Sequence, residues 1–196
     1  TNNINEESSK RETLYSYDSR NRLSYTQNKN DDGSAVYTEL YYDNAGNQTD
    51  MYIGSTAPGA KDGNHTAYTY DHRNRVTGIT DPMGYTEQYT SYDGNDNLKS
   101  KTDKKGKTFR YEYTALNQPK TVMVPETGEY VYYGYYATGL PATMSYKDHT
   151  GKLSMDSYTY DGFGRLRSES REGVSKEYEY NLSDARTSLK ITQGYG

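Results

Sequence analysis

The sequence is built on one nine-residue stretch that recurs along the chain. Its clearest copy runs from Tyr158 to Leu166 and reads YTYDGFGRL. Eight copies can be aligned on the tyrosine before the acidic position, and successive copies are 20 to 28 residues apart. These anchor tyrosines are Tyr17, Tyr42, Tyr70, Tyr92, Tyr113, Tyr135, Tyr160 and Tyr180. A period in this range is typical of repeat architectures.

Each copy predicts a β-hairpin. The Tyr-x-Tyr pattern has the period of two that suits a strand with one crowded face. The acidic position holds Asp18, Asp43, Asp71, Asp93 and Asp161, while Thr114, Tyr136 and Asn181 replace aspartate in the other copies. Aspartate at the first corner of a type I turn can accept hydrogen bonds from backbone N–H groups ahead of it. Three residues later comes a residue type that tolerates left-handed backbone: Asn21, Gly46, Asn74, Asp96, Asn117, Gly139, Gly164 and Asp184.

A second turn is predicted between successive anchors, because a glycine lies 7 to 9 residues before every anchor from Tyr42 onward. The clearest examples are Asp81–Gly84, Asp103–Gly106 and Asp148–Gly151, and looser ones are Asn30–Gly33, Pro125–Gly128 and Ser170–Gly173. The longest interruption, Met51 to Thr66, predicts an enlarged hairpin loop that is either a simple insertion or a ligand-contacting excursion. Two turns per repeat predict a meander of about sixteen short antiparallel strands.

Tyr-Asp-x-x-Gly-Arg-Leu followed by Thr-Asp-Pro-x-Gly-x-Thr resembles the signature of YD repeats, also called Rhs repeats. The resemblance extends from Leu14 to about Lys190 and is strongest from Tyr70 to Tyr92. It implies a long β-hairpin ribbon that spirals into a hollow shell. Such shells occur in bacterial Rhs and insecticidal Tc toxins, in Gram-positive wall-associated proteins and in teneurins, and in the toxins they enclose a polypeptide cargo. No segment after Tyr180 resembles the self-cleaving core of the toxins, so self-cleavage is not expected.

We therefore expect an all-β fold in which repeated antiparallel hairpins form part of a shell wall, with a β-propeller or closed barrel as alternatives. Residues 1–12 are expected to form a flexible N-terminal segment and residues 13–196 a repeat domain of about eight repeats. The incomplete last repeat suggests a piece of a longer protein. The residues expected to define the repeat are Tyr17, Asp18, Tyr42, Asp43, Tyr70, Asp71, Tyr92, Asp93, Tyr113, Tyr135, Tyr160, Asp161, Gly164, Arg165 and Tyr180.

Composition limits the core that these repeats can build. The chain has 25 tyrosines, and its mean hydropathy of −1.18 argues against a deep apolar core. Tyrosine rings can supply most of the packing surface while their hydroxyls face water. A net charge of −4 argues against a nucleic-acid partner. The absence of cysteine excludes disulfides, and no apolar run is long enough to span a membrane.

No motif predicts chemistry. The three histidines share no regular spacing, and Asp93-x-Asn95-x-Asn97 resembles a calcium loop but has Leu98 where that loop needs glycine. Asp18/Arg22, Asp71/Arg75 and Asp161/Arg165 are expected to pair across their turns as structural contacts. We therefore expect no enzyme activity, no cofactor and no metal.

Two functions fit these expectations. The first is a structural wall segment of a secreted or surface-attached bacterial protein, whose partners are neighbouring repeats and an enclosed C-terminal toxin. The second is a carbohydrate-binding module that stacks cell-surface glycans on exposed tyrosines. The first and last strands, near Leu14–Tyr17 and Glu177–Tyr180, are expected to present free edges that permit self-association.

Overall fold

The computed structural model describes residues 12–194 and confirms the all-β prediction. Within this range the chain forms sixteen strands and no helix, and accordingly no helix there could cross a membrane. The strands are β1 Thr13–Tyr17, β2 Leu23–Lys29, β3 Ala35–Tyr42, β4 Gln48–Ser55, β5 Asn64–Tyr70, β6 Val76–Thr80, β7 Thr86–Tyr92, β8 Leu98–Thr102, β9 Thr108–Tyr113, β10 Pro119–Val124, β11 Glu129–Tyr135, β12 Pro141–Lys147, β13 Leu153–Tyr160, β14 Leu166–Arg171, β15 Val174–Tyr180 and β16 Arg186–Gln193. The predicted flexible segment 1–12 lies, except for its last residue, outside the described residues.

The strands fall into two compact units, with the boundary between Tyr89 and Thr90 in β7. In the first unit each strand pairs antiparallel with the next in sequence, from β1 onward. The second unit follows the same rule from β8 to β16. Pairing continues from β4 to β5 and from β12 to β13, so neither unit is divided into the four-stranded blades that a propeller requires. Each unit is a β-meander, as predicted. The expected free edge at Glu177–Tyr180 is wrong, because β15 pairs with β14 on one side and with β16 on the other.

The predicted turn is present in all eight repeats. Every anchor tyrosine is the last residue of its strand. In the Asp71 turn, the N–H of Asn74 donates to the Asp71 carbonyl at 3.0 Å, and the N–H of Asp71 donates to the Arg75 carbonyl at 2.9 Å. The third residue after the acidic position has a positive φ in every copy, including Asn74 at 61° and Gly164 at 82°. This pattern is a type I turn closed by a residue in left-handed backbone, which confirms the predicted geometry.

The second row of turns is confirmed in part and corrected in part. Gly33, Gly84, Gly106 and Gly151 close turns at the predicted positions and have positive φ angles. The predicted turn at 170–173 is wrong in its bounds, because Arg171 pairs with Val174 and leaves only Glu172 and Gly173 as the loop. Both loop residues have positive φ, as a two-residue type I′ turn requires. The predicted Pro125–Gly128 turn starts one residue earlier, since the Gly128 N–H donates to the Val124 carbonyl at 2.9 Å.

The enlarged loop is real but shorter than predicted. Strand β4 continues to Ser55 and β5 begins at Asn64, so the loop, which we call the covering loop, comprises residues 56–63. Gly63 closes it without a left-handed φ. A Cβ atom at Gly63 would lie 2.6 Å from the carbonyl oxygen of Ile53, so glycine allows the two backbones to approach.

The packing is shallow, as the composition predicted. Val124 is the one buried hydrophobic side chain among the residues that the structure describes. Tyrosine rings pack edge to face instead, with centroids 5.9 Å apart for Tyr25 and Tyr37 and 5.8 Å apart for Tyr41 and Tyr52. Two acidic residues are also buried: Glu39, at 2% exposed, is more buried than Val124, and Asp156 is 8% exposed.

Candidate functional site

The anchor turns are closed hydrogen-bond networks. In the repeat that begins at Tyr70, the backbone N–H groups of Arg73 and Arg75 donate to Asp71 Oδ1 at 2.9 and 3.0 Å. The Arg75 guanidinium donates to Asp71 Oδ2 at 2.7 Å, which confirms the predicted pair across the turn. The same pair forms between Asp18 and Arg22 and between Asp161 and Arg165. Each of these three carboxylates is thus paired within its own turn.

The turn network also fixes the charge of its aspartates. The hydrogen bond from the Arg75 side chain, assisted by two backbone donors, lowers the pKa of Asp71 to about 2. In the Asp43 and Asp93 turns, an asparagine four residues on takes the place of arginine and donates to Oδ2 at 2.9 and 3.0 Å. That side-chain hydrogen bond likewise lowers the pKa of Asp43 and of Asp93. The Asp93 turn is thus a repeat turn, and its likeness to a calcium loop has no further consequence.

The repeats without aspartate keep the turn by other means. Thr114 accepts the backbone N–H groups of Leu116 and Gln118 with its hydroxyl oxygen, both at 3.2 Å. Asn181 accepts the equivalent two N–H groups with its amide oxygen at 2.9 and 3.0 Å. Tyr136 has no such acceptor, and its hydroxyl donates instead to the Tyr158 carbonyl at 2.9 Å. The turn therefore tolerates a weaker acceptor at its first corner.

Five of the eight anchor tyrosines join their repeat to the one before it, a role that was not predicted. In the first unit the Tyr42 hydroxyl donates to the Leu23 carbonyl at 2.9 Å, and the Tyr70 hydroxyl donates to the Gln48 carbonyl at 2.8 Å. In the second unit, Tyr113, Tyr135 and Tyr180 make the same bond, at 3.0, 2.6 and 2.9 Å, to Leu98, Pro119 and Leu166. Each acceptor lies six residues after the preceding anchor. We call this set of five bonds the tyrosine ladder.

Arginine links repeats in the opposite direction. The Arg22 guanidinium lies 4.4 Å from the centre of the Tyr42 ring and donates to the Asp43 carbonyl at 3.2 Å. Arg165 repeats the arrangement, 4.9 Å from the Tyr180 ring and 3.1 Å from the Asn181 carbonyl. Sequence reasoning assigned these arginines only to their own turns. The available signal was the arginine that stands four residues after the acidic position in three of the eight repeats, at Arg22, Arg75 and Arg165.

Glu39 is the most enclosed carboxylate among the described residues. Its Oε2 accepts the Tyr41 hydroxyl at 2.8 Å and the Gly59 N–H at 2.6 Å, and its Oε1 accepts the Lys61 N–H at 3.1 Å. Burial by itself would raise the pKa of Glu39, but the hydrogen bonds outweigh it and the pKa lies below the usual range. Two of these donors belong to the covering loop, which is therefore a structural cover over Glu39.

Asp156 in β13 is the other deeply buried acid, and it has no such cover. Its Oδ1 makes no hydrogen bond, and the nearest cation is Arg171, whose Nε lies 3.4 Å away. A cavity of about 440 Å³ adjoins it. The lining residues are Asp156, Tyr158, Glu169, Ser170, Arg171, Glu172, Val174 and Lys176. Sequence reasoning did not single out any of these eight residues as a group.

His65 stacks on Tyr52 with ring centroids 4.3 Å apart, and its Nε2 lies 2.8 Å from Asp50 Oδ1. Within residues 12–194 no group of three or more histidine or acidic side chains is placed to hold a metal ion.

Open tyrosines would be needed for the carbohydrate alternative. All seven anchors from Tyr42 onward are half-buried strand ends, and five of their hydroxyls are used in the tyrosine ladder. Among the tyrosines that the structure describes, those more than about 40% exposed are Tyr15, Tyr17, Tyr85, Tyr132 and Tyr136. They do not share a repeat position, so the repeat itself does not present a row of open rings.

Comparison with known proteins agrees with this geometry. Residues 92–129 match the family model described as RHS Repeat. No curated protein matches the chain in sequence. The crystal structure of TcdB2-TccC3 without its hypervariable C-terminal region is similar, with 14% identity, a TM-score of 0.64, and 90% of this chain and 12% of that chain covered. The Tc holotoxin pore of Photorhabdus luminescens is similar at 15% identity and a TM-score of 0.57, with the same coverage. This chain thus spans about an eighth of the chains that share its fold.

Proposed function

We propose that this chain, which carries an Rhs repeat, is a structural wall segment of a longer secreted or surface-attached protein whose repeats enclose a polypeptide. On this proposal its partners are the neighbouring repeats and the enclosed cargo. The chain itself performs no catalysis. The fold that it shares with TcdB2-TccC3 over 90% of its length supports this assignment.

The observation that carries the proposal is the tyrosine ladder. A wall must hold adjacent hairpins in a fixed relation, and backbone pairing alone leaves the strand ends free to slide or fray. The Tyr70 hydroxyl fixes its repeat to the preceding one by a hydrogen bond to Gln48, and Tyr113 does the same with Leu98. The feature that recurs most regularly in the sequence is therefore used to join repeats, not to present a ligand.

The carbohydrate-binding alternative is weaker on the same ground. Sugar recognition by aromatic residues needs an open ring face with polar groups beside it. The hydroxyls of Tyr42 and Tyr180 are bonded to backbone, and one face of each ring is covered by Arg22 or Arg165. These two repeat tyrosines therefore already use their hydroxyls and one ring face in contacts with other residues of the chain.

The test uses the complete polypeptide that contains these repeats, with an epitope tag at the end of the sequence that follows them. We expect the tag to resist protease until denaturant opens the repeats, and electron microscopy to show a hollow particle. A tag that is cleaved at the same rate in native and denatured protein would overturn enclosure.

A variant with Tyr42→Phe, Tyr70→Phe and Tyr113→Phe should lose protease resistance at a lower denaturant concentration. Tyr85→Phe, which changes an exposed tyrosine outside the ladder, is the matched control. Saturable binding of the chain to an immobilised oligosaccharide, abolished by Tyr132→Ala, would instead favour the carbohydrate alternative.

A further inference from the structure

Asp156 is deeply buried, yet one of its carboxylate oxygens has no hydrogen-bond donor in the part of the chain that the structure describes. It is 8% exposed, and its buried Oδ1 atom accepts no hydrogen bond within the described residues. The Arg171 Nε atom is 3.4 Å away, which is longer than the 2.7 to 2.9 Å typical of a charge-assisted hydrogen bond. The Arg171 side chain is 58% exposed and its guanidinium lies 5.0 Å from the Tyr146 ring. A buried carboxylate in this state is destabilising unless a better donor reaches it.

The other acids around the cavity already have partners. Glu169 accepts the Lys176 ammonium at 2.7 Å and the Tyr178 hydroxyl at 2.9 Å. Glu172 accepts the Ser154 hydroxyl at 2.7 Å, and the Lys152 ammonium lies 3.1 Å from the same carboxylate. Asp156 is therefore the acidic side chain of this cavity that has a buried oxygen without a hydrogen-bond donor among residues 12–194.

The first unit shows what satisfies a comparable group. Glu39 and Asp156 each lie two residues before a strand tyrosine. Over Glu39 a polypeptide segment supplies two backbone N–H donors, and its Lys61 ammonium lies 4.1 Å from the centre of the Tyr41 ring. The cavity beside Asp156 has a volume of about 440 Å³, within the range of ligand sites and sufficient for a lysine or arginine side chain.

We propose that the Asp156 cavity is a binding site for the ammonium or guanidinium group of a polypeptide segment. The cation displaces Arg171 toward solvent and donates to Asp156, while its aliphatic stem lies along Val174 and Tyr158. The cavity discriminates against anions because Asp156, Glu169 and Glu172 line it together. The site does not depend on the proposed function, since a wall segment without any cargo could still bind such a group.

The test is a titration of the chain, followed by two-dimensional ¹H–¹⁵N NMR, with Nα-acetyl-lysine-N-methylamide. We expect saturable shifts at the amides of residues 154–158 and 169–176. The uncharged isostere Nα-acetyl-norleucine-N-methylamide should bind at least tenfold more weakly. Equal binding of the two probes, or no saturation by the lysine compound, would overturn the proposal.

Three variants locate the effect. Asp156→Asn should weaken binding at least tenfold, whereas Glu179→Gln, which removes the same charge from an exposed position on β15, should leave it unchanged. Arg171→Gln should tighten binding several-fold because it removes the competing cation. If Asp156→Asn does not fold, the affinity of Arg171→Gln for the lysine compound is the test of the proposal. Loss of binding in Arg171→Gln would contradict the proposal.

Butylamine tests whether the site needs a peptide or only an amine. An affinity equal to that of the lysine compound indicates that a free amine suffices, and a weaker affinity indicates that the peptide groups contribute.

Discussion

Glu39 in the first unit and Asp156 in the second show two outcomes for an acidic residue buried on a shallow sheet. Glu39 is reached by three donors, two of them from the covering loop, and Asp156 is reached by one distant guanidinium. The difference arises from chain length between strands. Eight residues separate β4 from β5, whereas β14 and β15 are joined by two. A loop long enough to fold back can satisfy a carboxylate, and a tight turn leaves it open.

The largest expected effect is at Glu39. Glu39→Ala leaves the N–H groups of Gly59 and Lys61 and the Tyr41 hydroxyl without their acceptor, and should lower the free energy of unfolding of the first unit by about 3 kcal/mol. Asp156→Ala should cost about 1 kcal/mol or less, because little hydrogen bonding is lost there. Amide hydrogen exchange resolved by unit is the measurement. Equal costs would show that the covering loop does not matter for Glu39.

The second effect removes the cover while leaving the carboxylate in place. Gly63→Ala places a Cβ 2.6 Å from the Ile53 carbonyl oxygen, so the covering loop must shift, at a cost of about 2 kcal/mol. Gly94→Ala is the control: its Cβ meets no atom within 4 Å, and its effect should stay within about 0.5 kcal/mol. Urea unfolding of both variants checks the prediction. If Gly63→Ala leaves the free energy of unfolding unchanged, the covering loop shifts without losing its hydrogen bonds to Glu39.

The third effect concerns a feature that the two units share. Gly164 has a φ of 82° and Gly162 does not have a positive φ, so Gly164→Val should cost about 1–2 kcal/mol and Gly162→Val less. Gly46→Val, at the same repeat position in the first unit, should cost as much as Gly164→Val. Thermal unfolding of the three variants measures these costs. Different costs at Gly46 and Gly164 would show that the turns, and not only the loops, distinguish the units.

The smallest effect is a response to acid that depends on the turn residue. The Asp71 pKa of about 2 lies below its value in the unfolded chain, about 3.9. Its contribution to stability is therefore complete above about pH 4 and is lost as the pH falls toward 2. The Thr114 turn has no carboxyl at this position and should keep its amide protection over the same range. An NMR titration that gives Asp71 an ordinary pKa would contradict the turn network.

The turns within each repeat could be predicted from the sequence, but the bonds that join one repeat to the next could not. The turn at Asp161–Arg165 follows from local chemistry, because aspartate, glycine and arginine act within five residues. The bond from Tyr70 to Gln48 spans 22 residues, and its partner is a backbone carbonyl that carries no side-chain signal. The Asp156 cavity could not be anticipated either. It depends on which residues of β13, β14 and β15 become neighbours, and that is set by the register of three strands.

The tyrosine ladder has a direction, since each hydroxyl donates to the repeat before it and never to the repeat after it in the five bonds described. A gene that duplicates or deletes one complete hairpin repeat therefore leaves every remaining tyrosine with an acceptor six residues past the previous anchor. A change of half a repeat removes that match. The ladder makes the hairpin the natural unit by which such a chain can lengthen or shorten during evolution. It also explains how repeats of 20 to 28 residues coexist, since each acceptor begins a strand and each donor ends one at the anchor turns, whereas the second row of turns lies at the opposite ends of these strands.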